Sequence, residues 1–150
     1  MSLLEKIDQD LINALKAKEE IKLSALRMLK AAIKNKQIDK GEELTADDIL
    51  AITANQIKQR RDSIEQYQKG HRQELANREQ AEIDILQAYL PEQMSEEEIT
   101  KIVIDTIAKV GATKAQDMGK VMGALMPQVK CKADGGLVSK IVKEKFIPVE

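Results

Sequence analysis

Tyr89-Leu90-Pro91-Glu92-Gln93-Met94-Ser95-Glu96-Glu97-Glu98 is the stretch that decides the architecture. Proline disfavours a helical residue before it, so Pro91 closes a helix that ends near Leu90. Ser95 followed three residues later by Glu98 is a capping box, in which hydroxyl and carboxylate satisfy the free amides of a new helix. Pro91 to Met94 between them reads as a short linker. The 150 residues thus divide into an N-terminal helical module over 1–92 and a C-terminal one over 95–150.

Apolar spacing predicts helices on both sides of this junction. Downstream, Ile99, Ile102, Val103, Ile107 and Val110 share a helical face and Gly111 ends the run. The next helix starts near Lys114 or Ala115 and reaches Lys130, with Met118, Val121, Met122, Leu125 and Val129 as its stripe. Pro127 inside it predicts a kink or an early stop. Asp134-Gly135-Gly136 opens a last helix carrying Leu137, Val138, Ile141, Val142 and Phe146.

Upstream, Ser2 and Glu5 form a capping box before Leu4, Ile7, Leu11 and Leu15, in a helix ending near Lys18. Glu20 to Lys40 follows, burying Leu26, Leu29 and Ile33 and stopping at Gly41. Thr45 with Asp47 and Asp48 starts a third helix, whose stripe is Ile49, Ile52, Ile57, Ile64 and Tyr67 and which Gly70 interrupts. A fourth spans about Arg72 to Leu90, with Leu75, Ile83, Leu86 and Leu90 inward. The expected fold is all-α: about four N-terminal helices joined to a three-helix C-terminal module.

Composition agrees. Apolar residues make up 43% of the chain, yet Tyr67, Tyr89 and Phe146 are its only aromatics. A core built from Leu, Ile, Val, Ala and Met suits helices better than sheets. The net charge of −1 excludes a uniformly basic nucleic-acid protein. From Lys114 to Lys145, however, seven lysines stand against Asp117, Asp134 and Glu144. A lone cysteine, Cys131, offers no internal disulfide and fits a reducing compartment. With no basic-then-apolar leader and no apolar run long enough to span a membrane, the expected location is cytoplasmic, without membrane contact.

Several segments resemble the YqeY family: Leu26 to Lys30, Arg60 to Ser63, the Tyr89–Glu98 junction, and Asp117 to Gly123 continuing through Pro127 to Gly135. The resemblance covers nearly the whole chain. Its C-terminal part, roughly Glu97 to Ile147, is similar to the tail domain of the B subunit of the glutamine-dependent aspartyl/glutamyl-tRNA amidotransferase. The resemblance implies a helical module followed by a three-helix tail, and a tRNA-contacting role for that tail; the amide-transfer chemistry lies in other domains and subunits. The family pattern carries glycine where this chain has Cys131. A glycine there suits a left-handed cap that a cysteine enters at a steric cost. Either this turn has negative φ or it tolerates strain.

No residue set amounts to a self-contained catalytic site. Amide transfer needs an activated nucleophile, and an ATP and metal site for the carboxylate. Cys131, between Lys130 and Lys132, reads as a bystander thiol, its potential partner His71 lying in the other module. His71 follows Gly70 and reads as a surface turn residue. Glu96-Glu97-Glu98 complements a helix dipole and needs no metal to explain it. Gly119-Lys120 lacks the glycine and the Ser or Thr of a phosphate loop. Gly119 and Gly123, four apart, predict close approach of another backbone; Met118, Met122 and Met126 read as adaptable core. No metal or cofactor is expected.

The best functional candidates are Lys114, Lys120, Lys130, Lys132, Lys140 and Lys143, a set suited to the phosphate backbone of tRNA or another structured RNA. Lys130 and Lys132 precede the last helix, whose free amides can receive an anion, although Asp134 as its N-cap would compete. A second candidate surface, for a protein partner, comprises Arg27, Lys30 and Lys34 with Lys58, Arg60 and Arg61. Arg61 with Glu65, and Arg78 with Glu82, are spaced to pair along exposed helices. The two readings are an RNA-associated accessory protein, possible company for amidotransferase machinery, and a helical adaptor with no nucleic-acid role.

Overall fold

A computed structural model describes residues 1–146. Residues 147–150, which the C-terminal module was expected to include, and the Phe146 side chain, expected on its last stripe, lie outside the described residues. Seven α-helices and one 3-10 turn are present, and no strand is found among the described residues. The helices are α1 (Leu3–Ala17), α2 (Glu20–Lys40), α3 (Ala46–Lys69), α4 (Gln73–Gln87), α5 (Glu96–Val110), α6 (Met118–Val129) and α7 (Gly135–Phe146). The all-α expectation holds. Contacts divide the chain into two compact units, Met1–Leu90 and Pro91–Glu150.

Local chemistry starts and stops these helices. Ser2 Oγ accepts the Glu5 N–H at 3.1 Å and the Glu5 carboxylate accepts the Ser2 N–H at 3.2 Å. Thr45 and Asp48 repeat this reciprocal box at the start of α3. Gly41 and Gly111 close α2 and α5 in the left-handed conformation. Between α3 and α4 the left-handed residue is His71 (φ 58°) rather than the preceding glycine, and Arg72 donates back to the Tyr67 carbonyl at 2.8 Å. Gly70 keeps a negative φ of −88°. His71 is an exposed turn residue, as its position suggested.

The N-terminal unit packs α4 chiefly along α3, with α1 on α2. Its core holds Ile7, Leu26, Leu29, Ile33, Ile49, Ile57, Ile83 and Leu86. Leu15, expected inward, is 55% exposed. Ile7 and Ala14, seven residues apart and therefore on one helical line, take the buried face of α1 and turn Leu15 out. Tyr89 seals the end of α4: its hydroxyl donates to Asp10 on α1 at 2.5 Å. Burial, then the Asp10 carboxylate, pushes the phenol well above its ordinary pKa.

Two charges lie inside this unit. Arg60 and Glu82 are 4% and 5% exposed, with Nε 3.3 Å from Oε2. Arg60 Nη1 also donates to the Gln56 carbonyl at 3.0 Å and to its side-chain oxygen at 2.9 Å. The Arg78–Glu82 pairing expected along α4 is thus displaced by one across helices, because Glu82 faces α3. Burial, then the neighbouring Glu82 charge, raises the pKa of Glu79.

The C-terminal unit packs α5 against α6 and α7 around Ile99, Val103, Val121, Leu125, Val138, Ile141 and Val142. Met118 and Met122 pack on this core, as read, while Met126 is exposed. Pro127 does not stop α6, which runs on to Val129. It sits in the last turn, where its missing N–H leaves only the exposed Gly123 carbonyl without a helical donor. The close backbone approach expected at Gly119 and Gly123 is not found: a Cβ at either would meet nothing within 4 Å among the described residues.

Two outcomes test this packing. Arg60→Ala should lower the stability of the N-terminal unit by about 3–5 kcal/mol, because it strands a buried carboxylate, whereas Arg60→Met with Glu82→Leu should regain most of it. Urea unfolding read by tyrosine fluorescence checks this, since both tyrosines lie in that unit; a loss below about 1 kcal/mol for the single variant contradicts it. At the α3 N-terminus, hydrogen bonds from Lys40 first and Thr45 second hold Asp48 at about 2, below its ordinary 3.8. What this carboxylate contributes is therefore present above its ordinary pKa and lost as pH falls through about 2. Carbon-detected NMR titration should show Lys40→Met moving that midpoint up toward 3.8.

Candidate nucleic-acid interface

Six lysines were singled out, and all six side chains are exposed on the C-terminal unit. They fall into three groups along its two basic helices. Lys114 and Lys120 flank Asp117 at the start of α6, close enough to help hold its carboxyl below the ordinary range; backbone N–H groups of Thr113 and Lys114 are the larger cause. Lys130 and Lys132 stand at the other end of α6. From Lys120 to Lys130 the helix rises about 15 Å. Lys140 and Lys143 lie on α7.

The turn after α6 positions the middle group. Lys130 is the C-cap with φ −54° and ψ 125°, and Cys131 follows at φ 63°. The backbone is left-handed, so the family's glycine would suit it and cysteine occupies it under strain. Besides its own backbone hydrogen bonds to Val129, the turn receives two from residues before α5. Gln93 Nε2 donates to the Cys131 carbonyl at 2.9 Å, and the Met94 N–H donates to the Lys132 carbonyl at 2.8 Å. Gln93 and Met94, read as linker, are thus bound to the α6–α7 turn and help fix the backbone that carries both lysines.

Asp134 behaves as the competing cap. Its carbonyl accepts the Val138 N–H at 3.0 Å, and its carboxylate reaches within 3.4 Å of the Cβ position of Gly136 in the first turn of α7. An anion would find that helix end already covered by a carboxylate. The lysines' candidacy therefore rests on their exposed side chains, not on the amides of α7.

The second candidate surface does not survive as a set. Arg60 is buried in the ion pair with Glu82 and cannot meet a partner. Lys30 is held by Asp8 of α1. Arg27, Lys34 and Lys58 remain exposed, and Arg61 is half-buried. Residue spacing did carry a signal for Arg60: Ile49, Thr53, Ile57, Arg60, Ile64 and Tyr67 follow one another at steps of three or four. Arg60 stands on the apolar stripe of α3, where a charge needs a buried partner. Glu82 occupies the matching place, four residues before Leu86.

Among the described residues, no group of three or more His, Cys, Asp and Glu could hold a metal ion, and no helix is long and apolar enough to cross a membrane. Cys131 and His71 belong to different units.

Comparisons with known proteins agree on one kinship. Residues 4–146 match the family described as Yqey-like protein. Relatives include the altered inheritance of mitochondria protein 41, mitochondrial, of Pyrenophora tritici-repentis, 32% identical over 145 residues and covering 94% of this chain and 79% of the relative. Its namesake in Vanderwaltozyma polyspora is 31% identical over 147 residues, covering 93% of this chain and 80% of the relative. That of Lachancea thermotolerans is 38% identical over 85 residues, 56% of this chain and 46% of the relative.

The strained turn gives a direct test. Cys131→Gly should stabilise the C-terminal unit by about 1 kcal/mol, by removing the Cβ from a left-handed position. Thermal unfolding followed by circular dichroism measures it, and a destabilised variant would show that the thiol's packing outweighs the backbone strain.

Proposed function

The chain belongs to the family of Yqey-like proteins, and on that footing we propose that it is a non-catalytic accessory protein whose C-terminal unit binds the phosphate backbone of tRNA or another structured RNA. The observation that carries this reading is the unmatched charge of the α6–α7 stretch. Seven lysines there stand against three carboxylates, and two of the three are engaged locally. Asp117 accepts the N–H groups of Thr113 and Lys114, and Asp134 lies over the first turn of α7. Exposed ammonium groups in such an excess attract phosphates by releasing condensed counterions.

The same residues argue against sequence reading. Every cation from Pro91 onward is a lysine, and Phe146 is the only aromatic there. Lysine is a point charge without the planar fork that reads guanine, and bases without aromatic partners have little to stack on. The tie to amidotransferase machinery comes from the tail-domain resemblance, and it extends to RNA handling rather than to amide chemistry. The relatives are named mitochondrial; we place this protein in a thiol-reducing, tRNA-containing compartment, which the cytoplasm and mitochondria both provide. A protein-interaction adaptor is the second reading, favoured by Ile12 and Leu15 standing exposed on α1.

Fluorescently labelled tRNA should bind the full chain saturably at low salt. Reversing Lys120, Lys130 and Lys132 to Glu should weaken that binding by roughly 100-fold, since each reversal removes a phosphate contact and adds a repulsion. Absent saturation, or an unchanged affinity in the triple variant, would sink the proposal. Stoichiometric recovery of a protein without RNA in a pull-down would favour the adaptor.

A further inference from the structure

The guanidinium of Arg60 has one partner unlike the others. Its Nε and Nη1 face oxygen atoms of Glu82 and Gln56, whereas Nη2 donates to the Met28 thioether sulfur at 3.4 Å. Thioether sulfur is a weak acceptor, so this is the least satisfied corner of a buried cation. Met28 itself is 53% exposed on α2. This half-exposed residue therefore places its sulfur against the guanidinium of the ion pair that joins α3 and α4. A methionine that faced only the core would be shielded from oxidants, and one that faced only solvent would report to nothing.

We propose that Met28 is an oxidative modification site, and that its sulfoxide tightens the hold on Arg60. The oxidant is a peroxide. The sulfur attacks the distal peroxide oxygen, a sulfur–oxygen bond forms and the oxygen–oxygen bond breaks. The sulfur loses two electrons; the remaining oxygen of hydrogen peroxide departs as water after taking up the transferred proton. The product carries a strong, outward-reaching acceptor where a weak one stood, next to an N–H of a permanent cation. Charge-assisted hydrogen bonds to such an oxygen are roughly twice as strong as neutral ones. Methionine oxidation in an apolar core disrupts packing; here the flexible side chain has solvent on one side to retreat into and a cation on the other to bind.

The effect is readable in the full chain without a ligand. After limited hydrogen peroxide treatment, peptide mass mapping should find one added oxygen on Met28 in the folded protein. Tyrosine fluorescence follows the N-terminal unit, because Tyr67 and Tyr89 both lie in it. The unfolding midpoint should rise by about 3 °C relative to Met28→Leu treated in the same way, the shift that one strengthened hydrogen bond gives in a domain of this size. Met28→Gln, whose amide oxygen reaches the same place without oxidation, should show a rise in untreated protein. The proposal is overturned if Met28 stays unmodified while the exposed Met126 takes up oxygen, or if its sulfoxide leaves the midpoint unchanged or lowers it. A midpoint that falls in Met28→Gln overturns it as well.

Discussion

A guanidinium cannot be neutralised inside a protein, so an arginine on the apolar stripe of a helix must find a carboxylate or keep that helix away from its neighbours. Arg60 finds Glu82, and the packing of α3 along α4 is built around their meeting. The pair adds little net stability over two apolar side chains of similar size. A slip of either helix would strand one of the two charges in an aliphatic core. The same constraint sorts the other cations. Lys30 and Lys40 are held by carboxylates of neighbouring elements and Lys69 by one on its own helix, while the lysines of α6 and α7 stand in solvent.

Each unit is close to neutral in sum, and the lysine excess is confined to the stretch from Lys114 to Lys145. With few aromatic residues, each unit encloses a small core of branched aliphatic side chains, and much of its definition comes from the helix ends. Two reciprocal capping boxes start α1 and α3, and the Tyr89–Asp10 bond ties the end of α4 to α1. In the C-terminal unit, Gln93 and Met94 bind the carbonyls of Cys131 and Lys132, so the strained turn is held by residues just before α5.

Much of this was legible in the sequence because it is local. A serine or threonine three residues ahead of an acid, a glycine after the last apolar residue, and a stripe with a period near 3.6 each decide a helix end or face within a few residues. What escaped depends on distance. Spacing put Arg78 with Glu82, but the rotation of α4 against α3 gave Glu82 to Arg60 instead. Spacing also offered Leu15 to the core, and the seating of Ala14 turned it out. Gly70 was read only as the interruption of α3, and the left-handed conformation of His71 after it had no signal in the spacing. At Cys131 the sequence left a negative φ and a strained left-handed turn both open, and the donors of Gln93 and Met94 that reach this turn were not visible in it. The sequence names the six lysines, but their separation into three groups, their exposure and the engagement of Asp117 required the fold.

Under the proposed function, RNA is met through exposed lysine ammonium groups rather than through a site that reads bases or performs chemistry. The salt dependence of tRNA affinity measures that most directly. If about five or six phosphates are neutralised, the logarithm of the association constant should fall against the logarithm of salt concentration with a slope of about −4 to −5. Such a slope, shared by RNAs of different sequence and equal fold, is the expected result. An affinity insensitive to salt, or one that follows base sequence at constant salt, would contradict it.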